Sequence, residues 1–173
     1  MAASVTRGRP ATPRLTRDAI LTEALALIRE PALPFTLRTL AQRMQVTPMA
    51  ILHHVGSHDA LIHAMADAAF ADVPDTAADV LLAAYAEAAR RHPALILALF
   101  RIPGPLPPQA RRLTDHLEIL MKNNGLSPDQ ARLHRDILID WVHGMALSQA
   151  PHDPAPALAA LLNALTPSRS AAP

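Results

Sequence analysis

Phe35 to Ser57 reads FTLRTLAQRMQVTPMAILHHVGS, two short apolar-striped segments either side of a turn. Thr36 is a good helix N-cap, and Leu37, Leu40, Ala41 and Met44 then recur at helical steps, giving a short helix with one apolar stripe. About three residues later Thr47 and Pro48 pair an N-cap with a first-turn proline, so a second short helix, PMAILHHV, begins there and ends at Gly56. Leu40 and Ala41 of the first helix can meet Val46 and Ile51, which fixes the crossing angle. Thr47, Met49, Ala50 and His53 are then left facing outward. Two short helices joined in this way form a helix-turn-helix pattern, whose second helix suits a DNA major groove.

The surrounding sequence extends the all-α reading. Half of the 173 residues are hydrophobic and only 3% are aromatic. Ala and Leu dominate and β-branched runs are scarce, as expected of packed helices. Most of the 17 prolines fall between apolar stretches, where they end or start helices. Thr16 caps a first helix with Ala19, Ile20, Ala24, Leu27 and Ile28 on one side, which must stop before Pro31. Ser57 and Asp59 open a fourth helix that buries Leu61, Ile62, Met65, Ala69 and Phe70. Five further helices are expected at 76–92, 93–101, 107–124, 128–149 and 154–166, about nine in all. Gly125 is the C-terminal cap before Ser127-Pro128 restarts the chain. The helix from 128 carries apolar residues around most of its circumference, so it is expected to be covered on two sides.

Charge is unevenly spread. Residues 1–58 hold seven arginines against three carboxylates, a net +4, whereas the rest of the chain sums to −3. A basic front on an acidic body suits a polyanionic partner. Residues 1–14, interrupted by Gly8, Pro10 and Pro13, read as a flexible basic arm, and 167–173 as a disordered tail. No cysteine is present, which removes disulfides, thiolate metal sites and cysteine nucleophiles and fits a reducing cytoplasm. The N-terminus lacks a signal-peptide core and no apolar run reaches the length of a membrane span.

Residues 16–65 resemble the N-terminal DNA-binding domain of the TetR family of transcriptional regulators. RDAILTEALALI, FTLRTLAQRMQVTPMAILHHV and SHDALIHAM follow that family's first, second-to-third and fourth helices in order and length. The resemblance implies a helix-turn-helix domain over 15–58 and a helical ligand-binding and dimerisation domain over 59–166. It also implies a homodimer on a palindromic double-stranded operator, released by a small, largely apolar effector. By that likeness Thr47, Met49, Ala50 and His53 face bases or nearby phosphates, with Pro48 and His54 in the same DNA-binding set. Thr36, Arg38 and His58, at the start of the fourth helix, grip the backbone. Two positions depart from the family pattern, Leu52 where a Tyr is usual and His58 where a Lys is usual. Both remove phosphate grip, which predicts weaker binding and a flatter salt dependence, with the arm arginines Arg7, Arg9 and Arg14 compensating.

Four of the nine histidines crowd into 47–63. His54 and His58 have helical metal-ligand spacing, but the intervening VGS breaks the helix, so no metal site or cofactor is expected. Imidazole charging near pH 6.5 predicts instead that DNA binding tightens from about pH 8 to 6. In the second domain Tyr85, Phe100, Met121, Trp141 and Met145 are candidates to line an effector cavity, although large apolar residues at this spacing also fill ordinary cores. Tyr85, His116, Trp141 and His143 would supply the few polar groups such a cavity needs. Arg90, Arg91 and His92 are expected to favour a helix C-terminus, Arg111 and Arg112 to be solvated, and Arg132 to pair with Asp136 one turn on. Asp136 and Asp140 lack a His or Ser to complete a catalytic set, so an enzyme is not expected. The competing classes are a helical metal-dependent enzyme using the histidines, and an interaction module that kept this shape and lost DNA binding.

Overall fold

The computed structural model describes residues 15–30, 32–148 and 153–166, all of whose regular structure is helical. The expected arm 1–14, the tail 167–173, Pro31 and Pro151 lie outside the described residues. Among the described residues nine helices run in order: α1 Arg17–Leu27, α2 Leu37–Arg43, α3 Pro48–Val55, α4 His58–Phe70, α5 Ala78–Arg91, α6 Pro93–Leu99, α7 Pro108–Asn123, α8 Pro128–Ser148 and α9 Ala155–Leu165. Each begins within two residues of its sequence expectation, because the capping chemistry is local. Thr16, Thr36, Thr47 and Ser57 each accept a hydrogen bond from the backbone N–H three residues on, at 3.0–3.2 Å. At α2 the box is reciprocal, since the Thr39 hydroxyl accepts from the Thr36 N–H at 3.0 Å.

The turn between α2 and α3 is a Schellman motif. The Val46 N–H donates to the Ala41 carbonyl at 3.0 Å and the Gln45 N–H to Gln42 at 3.1 Å. This geometry puts Gln45 at φ 56°, the left-handed region that normally selects glycine. Val46 is thereby carried onto the core beside the fully buried Leu40 and Ile51. The same motif ends α7, where Gly125 sits at φ 93° and the Leu126 N–H returns to the Met121 carbonyl.

α1, α2 and α3 close around Ile20, Ala24, Leu27, Leu40, Ala41, Ile51 and Val55. Arg43 clamps this domain from outside by pairing with both Glu23 of α1 and Glu30 after it. α4 packs on α1 and α3 and also on α5, α6 and α7, so one rod is shared by both halves of the molecule. Its far end is locked to α7 from two directions. The Asp67 carboxylate accepts the Gln109 N–H at 2.8 Å, capping a helix whose own N-cap, Pro107, offers no side chain. Arg112 of α7 donates to the Val73 carbonyl at 2.9 Å, reaches that of Phe70 at 3.4 Å, and pairs with Asp75. Arg112 is therefore half-buried and fully engaged, not solvated, while Arg111 is exposed.

α8 packs on α5 and α7, and the His134 imidazole donates from Nδ1 to the Leu165 carbonyl at 2.6 Å, holding the end of α9. The expected Arg132–Asp136 pair does not form. Arg132 turns back to Asp129, and Asp136 is held at 2.8 Å by Arg135, which also pairs with Glu118 on α7. Nor is α8 covered on both faces within one chain. Leu133 and Ile137, one turn apart, are 58% and 37% exposed, next to α7, whose Ile119 is 51% exposed. Among the described residues no helix is long and apolar enough to cross a membrane.

Candidate nucleic-acid interface and ligand cavity

α3 presents the first candidate surface. A helix of eight residues buries only Ile51 and Val55; the fully buried Ile51 anchors it, and truncation to alanine there costs about 2–5 kcal/mol. The opposite side is left to solvent. Met49 is 70% exposed, an unusual exposure for a large apolar side chain, and Thr47, Pro48, His53 and His54 are also exposed, with Ala50 and Leu52 half-buried. The His53 and His54 rings meet edge to face, 5.7 Å between centroids. The Thr47 hydroxyl is already committed to the Ala50 N–H at 3.2 Å, so its direct role is to start the helix.

The flanking groups divide in the same way. Thr36 is exposed but spends its hydroxyl on the Thr39 N–H at the α2 cap. Arg38 is exposed, with no ion-pair partner among the described residues, and is free to take a phosphate. His58 begins α4, with Nδ1 3.4 Å from Asp59 Oδ1. The first turn of α4 thus adds a carboxylate beside the imidazole, which weakens this corner as an anion site. Arg17, exposed at the start of α1 and with no ion-pair partner among the described residues, is a further cation that the sequence reading passed over.

The second candidate is a partly open cavity of about 130 Å³ lined by α4–α8 and the α6–α7 loop. It brings together Tyr85, Phe100 and His143 of the sequence candidates. The others stand elsewhere: Met121 is fully buried in the core, Trp141 and Met145 are half-buried outside the cavity, and His116 Nε2 lies 3.2 Å from the Thr76 carbonyl. The sequence reading missed His63, Phe70, Leu113, Thr114 and Ile139, together with the loop residues Gly104 to Pro107. Gly104, in the proline-rich loop that lines the cavity, takes φ 121°, which only glycine adopts readily.

The polar content of the cavity is concentrated in one hydrogen bond. The Tyr85 hydroxyl and His143 Nε2 are 2.6 Å apart, joining α5 to α8. Their rings pack edge to face with neighbours on either side, Phe70 against Tyr85 at 5.2 Å and Phe100 against His143 at 5.1 Å. Burial pushes the Tyr85 phenol well above its ordinary value. Burial likewise lowers His143, against a smaller opposing pull from Asp140. Both effects keep the pair neutral at pH 7. His143 Nδ1 is buried with no hydrogen-bond partner.

No family model matches the chain, and no curated protein matches it. Solved structures match it in fold. BioQ with its natural double-stranded DNA operator aligns at a TM-score of 0.74 and 20% identity, covering 88% of this chain and 99% of that one. Mycobacterium smegmatis BioQ gives 0.74 and 19%, over 88% and 98% of the two chains. The Streptomyces coelicolor TetR family protein ActR, in complex with actinorhodin, gives 0.66 and 21%, over 90% and 89%. The fold of this chain is that of TetR-family regulators.

Proposed function

We propose that this chain is a cytoplasmic, non-enzymatic transcriptional regulator of the TetR family: a homodimer that binds a palindromic operator through α3 and releases it when a small, largely apolar molecule enters the cavity. The observation that carries this reading is α3 itself. It is capped, anchored by Ile51 and Val55, and otherwise left bare, with Met49, His53 and His54 in solvent beside the unpaired Arg38. A buried structural helix has no use for such a face, whereas a groove-reading helix requires it. The printed partners of the similar proteins, an operator for BioQ and a small molecule for ActR, support the two ends of the reading.

Dimerisation is supported by Leu133 and Ile137, an exposed apolar step on α8 that a second copy can cover. Coupling between cavity and operator is supported by α4. Its Leu61 and Ile62 are buried near the helix-turn-helix, while its His63 and Phe70 line the cavity. A molecule that displaces Phe70 therefore moves the same rod on which α1 and α3 rest.

The test is selection from sheared genomic DNA with purified protein at about 50–100 mM salt, where contacts to a few phosphates still hold. Enrichment of a palindromic fragment is expected. Recovery of no fragment above background would show that the chain is an interaction module with a repressor-like shape.

A further inference from the structure

The chemistry of the cavity wall restricts what it can hold. Among the described residues 16 line the cavity, and none of them is Asp, Glu, Lys or Arg. An ionised ligand would find no permanently charged partner among these residues, and an unpaired buried charge is far costlier than a buried amide or hydroxyl. Among the described residues, the polar side chains on the wall are His63, Tyr85, Thr114 and His143. Of these, the Tyr85–His143 pair has capacity to spare on its hydroxyl, which keeps a lone pair beyond the bond to His143 Nε2, whereas the unpartnered Nδ1 of His143 is itself buried. Size gives a second limit. An engineered apolar cavity of about 150 Å³ takes up benzene, so a space of about 130 Å³ admits about one small ring before the walls must move.

Building on the regulator reading, we propose that the effector is an uncharged, single-ring-sized apolar molecule carrying one hydrogen-bonding group, and that this group is read by the Tyr85–His143 pair. The pair acts as a selectivity element. In a plain apolar hole toluene binds more tightly than phenol, because phenol must give up hydration of its hydroxyl. A wall that offers hydrogen bonds reverses that order. Filling the cavity also presses on Phe70, whose ring touches Tyr85, so the reading element adjoins the end of α4.

Titration calorimetry of the full-length protein without DNA tests this with four probes. Phenol is expected to bind about fivefold or more tightly than toluene, the gain of one net hydrogen bond. Benzamide is expected to exceed its isostere benzoate by at least about 100-fold. The double variant Tyr85→Phe with His143→Leu keeps toluene binding and restores the preference for toluene over phenol. Benzoate binding as well as benzamide, toluene matching or exceeding phenol in the wild type, or no uptake of any probe would each overturn the proposal, and these readouts on the wild type stand even if the variant does not fold. Operator binding is measured separately. An operator bound by a protein that prefers benzoate refutes the effector class alone, while a protein that takes phenol but selects no DNA refutes the regulator reading alone.

Discussion

Replacing Asp67 with alanine tests how α4 is held to α7. α7 starts with Pro107 and Pro108, neither of which can supply a side-chain cap, so the first orphan amide is that of Gln109. Asp67 satisfies it from another helix, 42 residues away in sequence, at 2.8 Å and half-buried. Loss of a capping side chain costs about 0.5–2 kcal/mol, and a carboxylate near a helix N-terminus adds about 0.3–1 kcal/mol. Asp67→Ala is therefore expected to destabilise by about 1–2 kcal/mol, a fall in melting temperature of about 2–8 °C for a chain of this length. Asp67→Asn keeps an acceptor oxygen and loses only the charge, so it should cost less than about 1 kcal/mol. Urea denaturation followed by helical circular dichroism, at one fixed protein concentration because a dimer's stability depends on it, gives both values. Alanine within about 0.3 kcal/mol of wild type, or asparagine as damaging as alanine, would refute the trans-cap.

Three further outcomes follow from particular residues. Gln45 at φ 56° carries a left-handed penalty of about 1–2 kcal/mol that glycine escapes at an entropic cost of about 0.5–1 kcal/mol. Gln45→Gly should thus be neutral or stabilising by up to about 1 kcal/mol in thermal melts, and a clear loss would show that the turn does not need this conformation. Leu133→Arg on the exposed step of α8 should yield a folded monomer by light scattering and remove operator binding; an unchanged dimer would place the interface elsewhere. His92 is lowered by burial and then by Arg29 and Arg91, and His143 by burial. Below the ordinary histidine value near 6.5 the unfolded chain then binds more protons than the folded one, so stability falls as pH drops from 7 to 5. Each of these two histidines contributes a slope of at most about 1.4 kcal/mol per pH unit. Urea midpoints should show that loss, reduced in His143→Gln; equal slopes in the two proteins would refute the assignment to His143.

What could be read from the sequence was whatever is governed by neighbours in the chain. Thr16, Thr36, Thr47 and Ser57 announced their helices because an N-cap acts over three residues, and Gly56 and Gly125 marked ends because their left-handed backbone is local. The exposed side of α3 was legible for the same reason: Ile51 and Val55 are the apolar pair at helical spacing, so Met49 and His53 had to face away. The turn at Gln45 was legible in length but not in conformation, since no glycine marks it. Contacts across tens of residues left no local trace. Nothing near Asp67 points to Gln109, and nothing near Arg112 points to the Val73 carbonyl. The cavity divides similarly. Tyr85 and Met121 are both large residues on amphipathic helices, and only the packing of α5 against α8 decides that one lines the space and the other fills the core. The loop at 103–107 reads as a linker by composition, yet it forms part of the cavity wall.

Whether paired copies of α3 read duplex DNA is decided by hydroxyl-radical footprinting of the selected operator with wild type and His53→Ala. Wild type should protect two half-sites about 34–36 Å apart, one helical turn or a multiple of it, and His53→Ala should weaken that protection without lowering the melting temperature. Protection of a single unpaired site, or a footprint unchanged by the substitution together with one at Met49, would contradict that reading.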